Sequence, residues 1–178
     1  MRKRELKNME WGLLIVAIIL SIIGIIALFS ATQETEYDEF KKQIIWFTVS
    51  LIIMVIVMLI NYTTLVKLSP IFYGISIILL IAVLFTKPIN GATSWFDIGG
   101  FSLQPSEFAK ITVILFLTFV ISKIQERYIE NINKPTRLLI IFTVIAVPLL
   151  LIIKQPDYGT GMAFCIALAM MLFTSGID

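Results

Sequence analysis

The stretch Asn90-Gly-Ala-Thr-Ser-Trp-Phe-Asp-Ile-Gly-Gly-Phe-Ser-Leu-Gln-Pro-Ser-Glu-Phe-Ala-Lys110 decides how this chain is read. It is an apolar, glycine-rich segment between two runs of membrane length, and it leads into a helix carrying Glu107 and Lys110. Ionisable groups at membrane depth cost about 2.5–3.5 kcal/mol each on insertion scales. Leucine would avoid that cost, so the retained charges point to a site.

Six apolar runs flank or follow this segment, at approximately 11–30, 44–60, 68–86, 106–122, 138–153 and 159–175. A hydrocarbon core needs roughly 20 helical residues to cross it, fewer where end groups snorkel. With 58% hydrophobic residues, 15% charged ones and a mean hydropathy of +0.96, a soluble domain of 178 residues would expose too much apolar surface. The fold class expected is all-α, a polytopic membrane helix bundle forming one domain over residues 1–178. The run after Met1-Arg-Lys-Arg-Glu-Leu-Lys7 is too long for a signal-peptide core and has no small-x-small cleavage site after it, so it reads as an uncleaved first helix.

Lysine and arginine set the orientation. Arg2, Lys3, Arg4 and Lys7 precede the first run, and Lys123, Arg127, Lys134 and Arg137 follow the fourth. The 31–43 segment is acidic through Glu34, Glu36, Asp38 and Glu39. Both ends of the chain are therefore expected on the cytoplasmic side, with the acidic segment, the 87–105 segment and the Lys154–Tyr158 turn outside. Trp11, Trp46, Tyr62, Tyr128 and Tyr158 fall near the expected interfaces, as aromatic belts require. The net charge of +2 is spread over membrane-flanking segments and does not indicate nucleic acid. The chain has no histidine, and its one cysteine, Cys165, lies in an apolar run, which excludes a disulfide and zinc of the usual ligand types. No cofactor is evident, and the use of a divalent cation is left open.

Three segments are candidates for chemistry. In Gln104-Pro-Ser-Glu-Phe-Ala-Lys110, Pro105 suits the first helical position and Glu107 the first turn, where the helix dipole favours an anion. Lys110 lies three residues on, about 4.5 Å along the axis on the same face, so the two can pair. Helix capping by Glu107 with snorkelling of Lys110 reads the same residues equally well. The preceding segment carries Trp95, Phe96, Ile98, Phe101 and Leu103 beside Gly91, Gly99 and Gly100. It fits either a surface loop or a fold-back over a cavity. In Lys154-Gln-Pro-Asp-Tyr-Gly-Thr-Gly161, Pro156 ends one helix, Pro148 is expected to kink it, and Asp157, Gly159 and Thr160 make an outward turn. Spacing alone favours a plain turn there. Asp97, Glu107, Asp157 and Lys110 on one membrane face suit an anionic, phosphate-bearing substrate, a general-base reaction or a proton-coupled transporter.

Asn90-Gly-Ala-x-x-Trp95, followed by Gln104-Pro-Ser-Glu-Phe-x-Lys110 and then Lys154-Gln-Pro-Asp-x-Gly-Thr160, resembles the signature of the shape, elongation, division and sporulation family. Ser94, where many members have arginine, and the ending Phe173-Thr-Ser-Gly-Ile-Asp178 look more like its rod-shape branch in Gram-positive bacteria than its division branch. The resemblance implies a ten-helix peptidoglycan glycosyltransferase of the bacterial cytoplasmic membrane, polymerising lipid II at the outer face. It also implies a class B penicillin-binding protein as transpeptidase partner, together with other membrane proteins of the elongation complex. Glu107, Lys110 and Asp157, with Gln104 and Ser106, match the family's substrate-cavity positions. Asn90, Gly91, Ala92, Trp95, Pro105, Gln155, Pro156, Gly159 and Thr160 match its motif framework. The family's catalytic aspartate lies in an outer loop after the seventh helix, so these residues are expected to form an amino-terminal portion that does not polymerise lipid II alone. A lipid-precursor transporter and a non-catalytic scaffold of the wall-synthesis complex remain the competing readings.

Overall fold

The computed structural model describes residues 11–32, 38–88, 91–98, 101–127 and 134–174. Its helices are α1 (Trp11–Ala31), α2 (Asp38–Leu59), α3 (Tyr62–Val83), α4 (Pro105–Arg127), α5 (Pro135–Lys154) and α6 (Tyr158–Thr174). A two-stranded hairpin, β1 (Phe96–Ile98) and β2 (Phe101–Leu103), lies between α3 and α4. The basic amino-terminal tail, Glu34 and Glu36, Asn90, Gly99 and Gly100, Tyr128 and residues 175–178 lie outside the described residues.

All six expected helices are present, but several extend beyond the apolar runs. Hydropathy marks the stretch that lipid can solvate, whereas a helix continues through polar turns that carry their own contacts. The first turn of α2 holds a Glu39–Lys42 ion pair at 3.0 Å, and the last turns of α4 hold Lys123–Glu126 at 2.9 Å. At α3 the helix starts six residues before the expected 68 and ends at Val83. There Leu84, Phe85 and Thr86 donate to Ile81, Ala82 and Val83, tightening the exit into three-residue turns. Among the described residues, four helices are long and apolar enough to cross a membrane: α1, α3, α5 and the Glu39–Leu59 part of α2. α6 is apolar but has 17 residues, about 26 Å of helix. α4 has the length but carries Glu107 and Lys110 near one end.

The chain divides into two units, residues 1–61 and 62–178. In the first, α2 folds back on α1, and the Phe29 and Phe40 rings meet at 5.2 Å beside the connection. In the second, α3 packs along α4, and α5 and α6 complete the bundle. Ala109, Val113, Leu117 and Ile121 form a four-residue-spaced row on α4, buried with Leu80, Ile141, Val144, Ile152, Phe164 and Leu168. Ser69 and Ser76 on α3 are also fully buried. Small residues let helix backbones approach where lipid offers no hydrophobic drive.

Two helices contain internal prolines, Pro70 in α3 and Pro148 in α5. Each removes the N–H that would serve the carbonyl four residues earlier, at Val66 and Val144. Both carbonyls are served by hydroxyls instead. Ser69 Oγ donates to Val66 O at 2.6 Å, and Tyr73 OH reaches across from α3 to Val144 O at 3.1 Å. Such repair is what lets a membrane helix keep a proline.

The hairpin gives the 87–105 segment a regular structure that neither expected reading, a surface loop or a fold-back over a cavity, specified. Its register pairs Phe96 with Leu103, Asp97 with Ser102 and Ile98 with Phe101. Phe-Asp-Ile and Phe-Ser-Leu alternate apolar and polar residues with period two, separated by Gly99-Gly100, a pattern that specifies antiparallel strands.

Candidate functional site

The α3–α4 connection and the α5–α6 turn come to the same end of the second unit. Gln155, in the turn, is fully buried and donates through Nε2 to Leu80 O at 3.3 Å. Leu84 has turned its N–H to Ile81, so the Gln155 amide serves a carbonyl near the end of α3. Thr86 Oγ1 lies 2.7 Å from Val83 O and 3.3 Å from Trp95 O, linking the exit of α3 to the segment before the hairpin. Trp95 and Ala92 are half-buried and Ser94 is buried. Gly91 adopts φ +86°, a conformation in which glycine avoids the strain of a side chain.

The two motifs meet directly. Gln104 precedes α4 and Asp157 precedes α6. Gln104 Nε2 donates to Asp157 Oδ2 at 2.6 Å and lies 3.3 Å from Thr160 Oγ1. Asp157 Oδ1 accepts the Thr160 N–H at 3.1 Å, the side-chain cap of a helix N-terminus. The Asp157 carbonyl accepts the Gly161 N–H at 3.1 Å. Both carboxylate oxygens are thus engaged, one within α6 and one with α4. The spacing-based reading of this segment as a turn describes its backbone, and its link to Gln104 was not legible from spacing. Pro156 is exposed in the turn, and a Cβ at Gly159 would meet nothing within 4 Å.

One turn into α4, Lys110 Nζ lies 2.7 Å from Glu107 Oε1. The expected pair forms. The Glu107 side chain is 58% exposed and that of Lys110 is 28% exposed, so the pair lies at the rim of the unit with its acid outermost. Pro105 and Ser106, on the first turn of the same helix, are buried. Ser106 Oγ and Gln155 Oε1 are buried polar atoms that find no hydrogen-bond partner among the described residues. Of the framework residues, Asn90 lies outside the described residues. Tyr73 was missed; a tyrosine within an apolar helix, in a chain with a mid-helix proline elsewhere, is the signal that could have found it.

The arrangement defines a multi-pass helical membrane protein in which two helix N-termini, an ion pair, a buried amide and a half-buried one gather at one end of a bundle. Comparison with known proteins then gives the family. The model of the FtsW/RodA/SpoVE family, described as cell cycle protein, matches residues 10–178, and the chain belongs to that family. The peptidoglycan glycosyltransferase RodA of Treponema pallidum (strain Nichols) is 30% identical over 182 residues, covering 99% of this chain and 41% of that protein. Stage V sporulation protein E of Bacillus subtilis (strain 168) is 32% identical, covering 92% of this chain and 47% of that protein. The chain therefore spans less than half the length of these relatives. The crystal structure of the rod shape determining protein RodA of Thermus thermophilus superposes with a TM-score of 0.80 at 24% identity, over 96% of this chain and 55% of that one. A chain of a peptidoglycan synthase complex superposes at 0.82 with 22% identity, over 95% of this chain and 48% of that one. These likenesses establish the fold.

Proposed function

We propose that this chain supplies the amino-terminal part of a peptidoglycan glycosyltransferase that polymerises lipid II at the outer face of the bacterial cytoplasmic membrane during elongation. The observation that carries the reading is the meeting of the two motifs: Gln104 bound to Asp157, with the Glu107–Lys110 pair on the next turn of α4. The N-terminus of α4 offers partial positive charge, and Lys110, shared with Glu107, offers a cation beside it. That suits a pyrophosphate linked to a lipid. The name of the Treponema pallidum relative supports the reaction, and the rod-shape features of the sequence support elongation. In this reading the α3–α4 connection and the α5–α6 turn face outward and both ends of the chain lie in the cytoplasm. A class B penicillin-binding protein is the proposed partner, supported by the likeness to a chain of a peptidoglycan synthase complex. Polymer is expected only when the region bearing the family's outer-loop aspartate is also supplied.

The test is binding of fluorescent lipid II to the chain in lipid nanodiscs. Saturable binding is expected, weakened about tenfold or more by Lys110→Ala, since charge-assisted contacts to an anion are the stronger class. Absence of binding by the unmodified chain, or glycan polymer made by these 178 residues alone, would overturn the reading.

A further inference from the structure

Gln104 and Asp157 hold equivalent places. Each stands immediately before its helix, where the first backbone N–H groups have no intrahelical acceptor. Asp157 caps its own helix with Oδ1 and turns Oδ2 to Gln104. The contact is short, at 2.6 Å. The surroundings fix which way the Gln104 amide lies, because turning it over would set its oxygen against a carboxylate. Glutamine is also suited by its two N–H donors, one for Asp157 and one toward Thr160 Oγ1. The Gln104 carbonyl in turn accepts the Glu107 N–H at 3.2 Å, so Gln104 and the first turn of α4 move together.

We propose that Gln104 is a positioning residue. Acting through Asp157, it pins the start of α4 to the start of α6 and so fixes where the Glu107–Lys110 pair stands. What is positioned rests on the function proposed above; the latch between the helices does not. Asp157 in this view is a structural acceptor whose carboxylate is occupied, and the ligand-facing charges are those of α4.

The experiment reverses the polarity of the latch in the full chain in nanodiscs. Q104E sets two carboxylates against each other. Amide exchange at Thr160 and Gly161 is expected to accelerate about ten- to hundredfold, the worth of a hydrogen bond to a charged group. Lipid II binding is expected to weaken with it. In Q104E/D157N the amide at position 157 still accepts the Thr160 N–H through its oxygen, and its nitrogen donates to the new carboxylate. Exchange and binding are then expected to return close to the unmodified values. A Q104E chain with unchanged exchange, or a double variant no better than Q104E, overturns the latch. Restored exchange with lipid II binding that never responded to Q104E overturns the positioning role. An unmodified chain that does not bind lipid II defeats the proposed function, and the exchange data then decide the latch alone. Should Q104E fail to fold, a folded double variant with normal exchange supports the latch and an unfolded one refutes it.

Discussion

Replacing Tyr73 with phenylalanine removes one oxygen and keeps the ring, which packs 4.6 Å from Phe116 on α4. The oxygen lost is the one that serves Val144 O, a carbonyl deprived of its own helix partner by Pro148. In a protein interior an unserved polar group costs about 1–3 kcal/mol. Hydrogen bonds between membrane helices measure lower, about 0.6 kcal/mol on average and about 1.7 at most. Val144 is 9% exposed, so water gives it little relief and the cost should fall toward the upper end, near 1.5 kcal/mol. Pro148→Ala returns an N–H to the place from which Val144 O can be served within α5. In that background Tyr73→Phe should cost no more than a few tenths of a kcal/mol, leaving a coupling of about 1 kcal/mol in the double-mutant cycle. Equilibrium unfolding in SDS–lipid mixed micelles, followed by circular dichroism, measures all four corners. An equal cost of Tyr73→Phe with and without Pro148 would refute the account of how this bundle tolerates its proline.

Gln155→Glu should destabilise the second unit by more than about 2 kcal/mol, because it places an unpaired charge in a fully buried site facing Leu80 O; amide exchange in the last turn of α3 should report it first. Gly91→Ala should cost about 1–2 kcal/mol despite open space around it, since φ is +86° there, and thermal unfolding of the second unit would show the loss. Glu107→Ala should change unfolding stability by less than about 1 kcal/mol, as expected for an exposed ion pair, while reducing lipid II binding in nanodiscs; a large stability loss would show the pair to be structural.

The helices were legible because lipid imposes length and apolarity on each span, and the runs at 11–30 and 138–153 fall within a few residues of α1 and α5. The start of α2 was not, since Glu39 and Lys42 extend the helix by pairing with each other rather than by being apolar. The β1–β2 hairpin is written in the period-two alternation of Phe-Asp-Ile and Phe-Ser-Leu, but three-residue strands are too short for that alternation to stand out beside the segment's glycine and aromatic content. The Glu107–Lys110 pair followed from helical spacing alone. The Gln104–Asp157 contact could not, because it joins residues 53 apart and depends on how two helix starts lie beside each other. The same holds for Tyr73 and Val144, 71 residues apart.

The charged and polar groups at this end of the bundle divide into two kinds, and burial with hydrogen bonding separates them. Asp157 and Gln155 are each committed to backbone that would otherwise be unserved: one caps α6 and the other serves the last turns of α3. Their presence is explained by folding. Glu107 and Lys110 bond to each other on an open rim at the start of α4, where an ion pair adds little to stability. Folding does not account for them. On the function proposed above, the pair is the part of this rim left to meet a ligand, and Lys110, the less exposed of the two, is the group from which an anion would draw its charge.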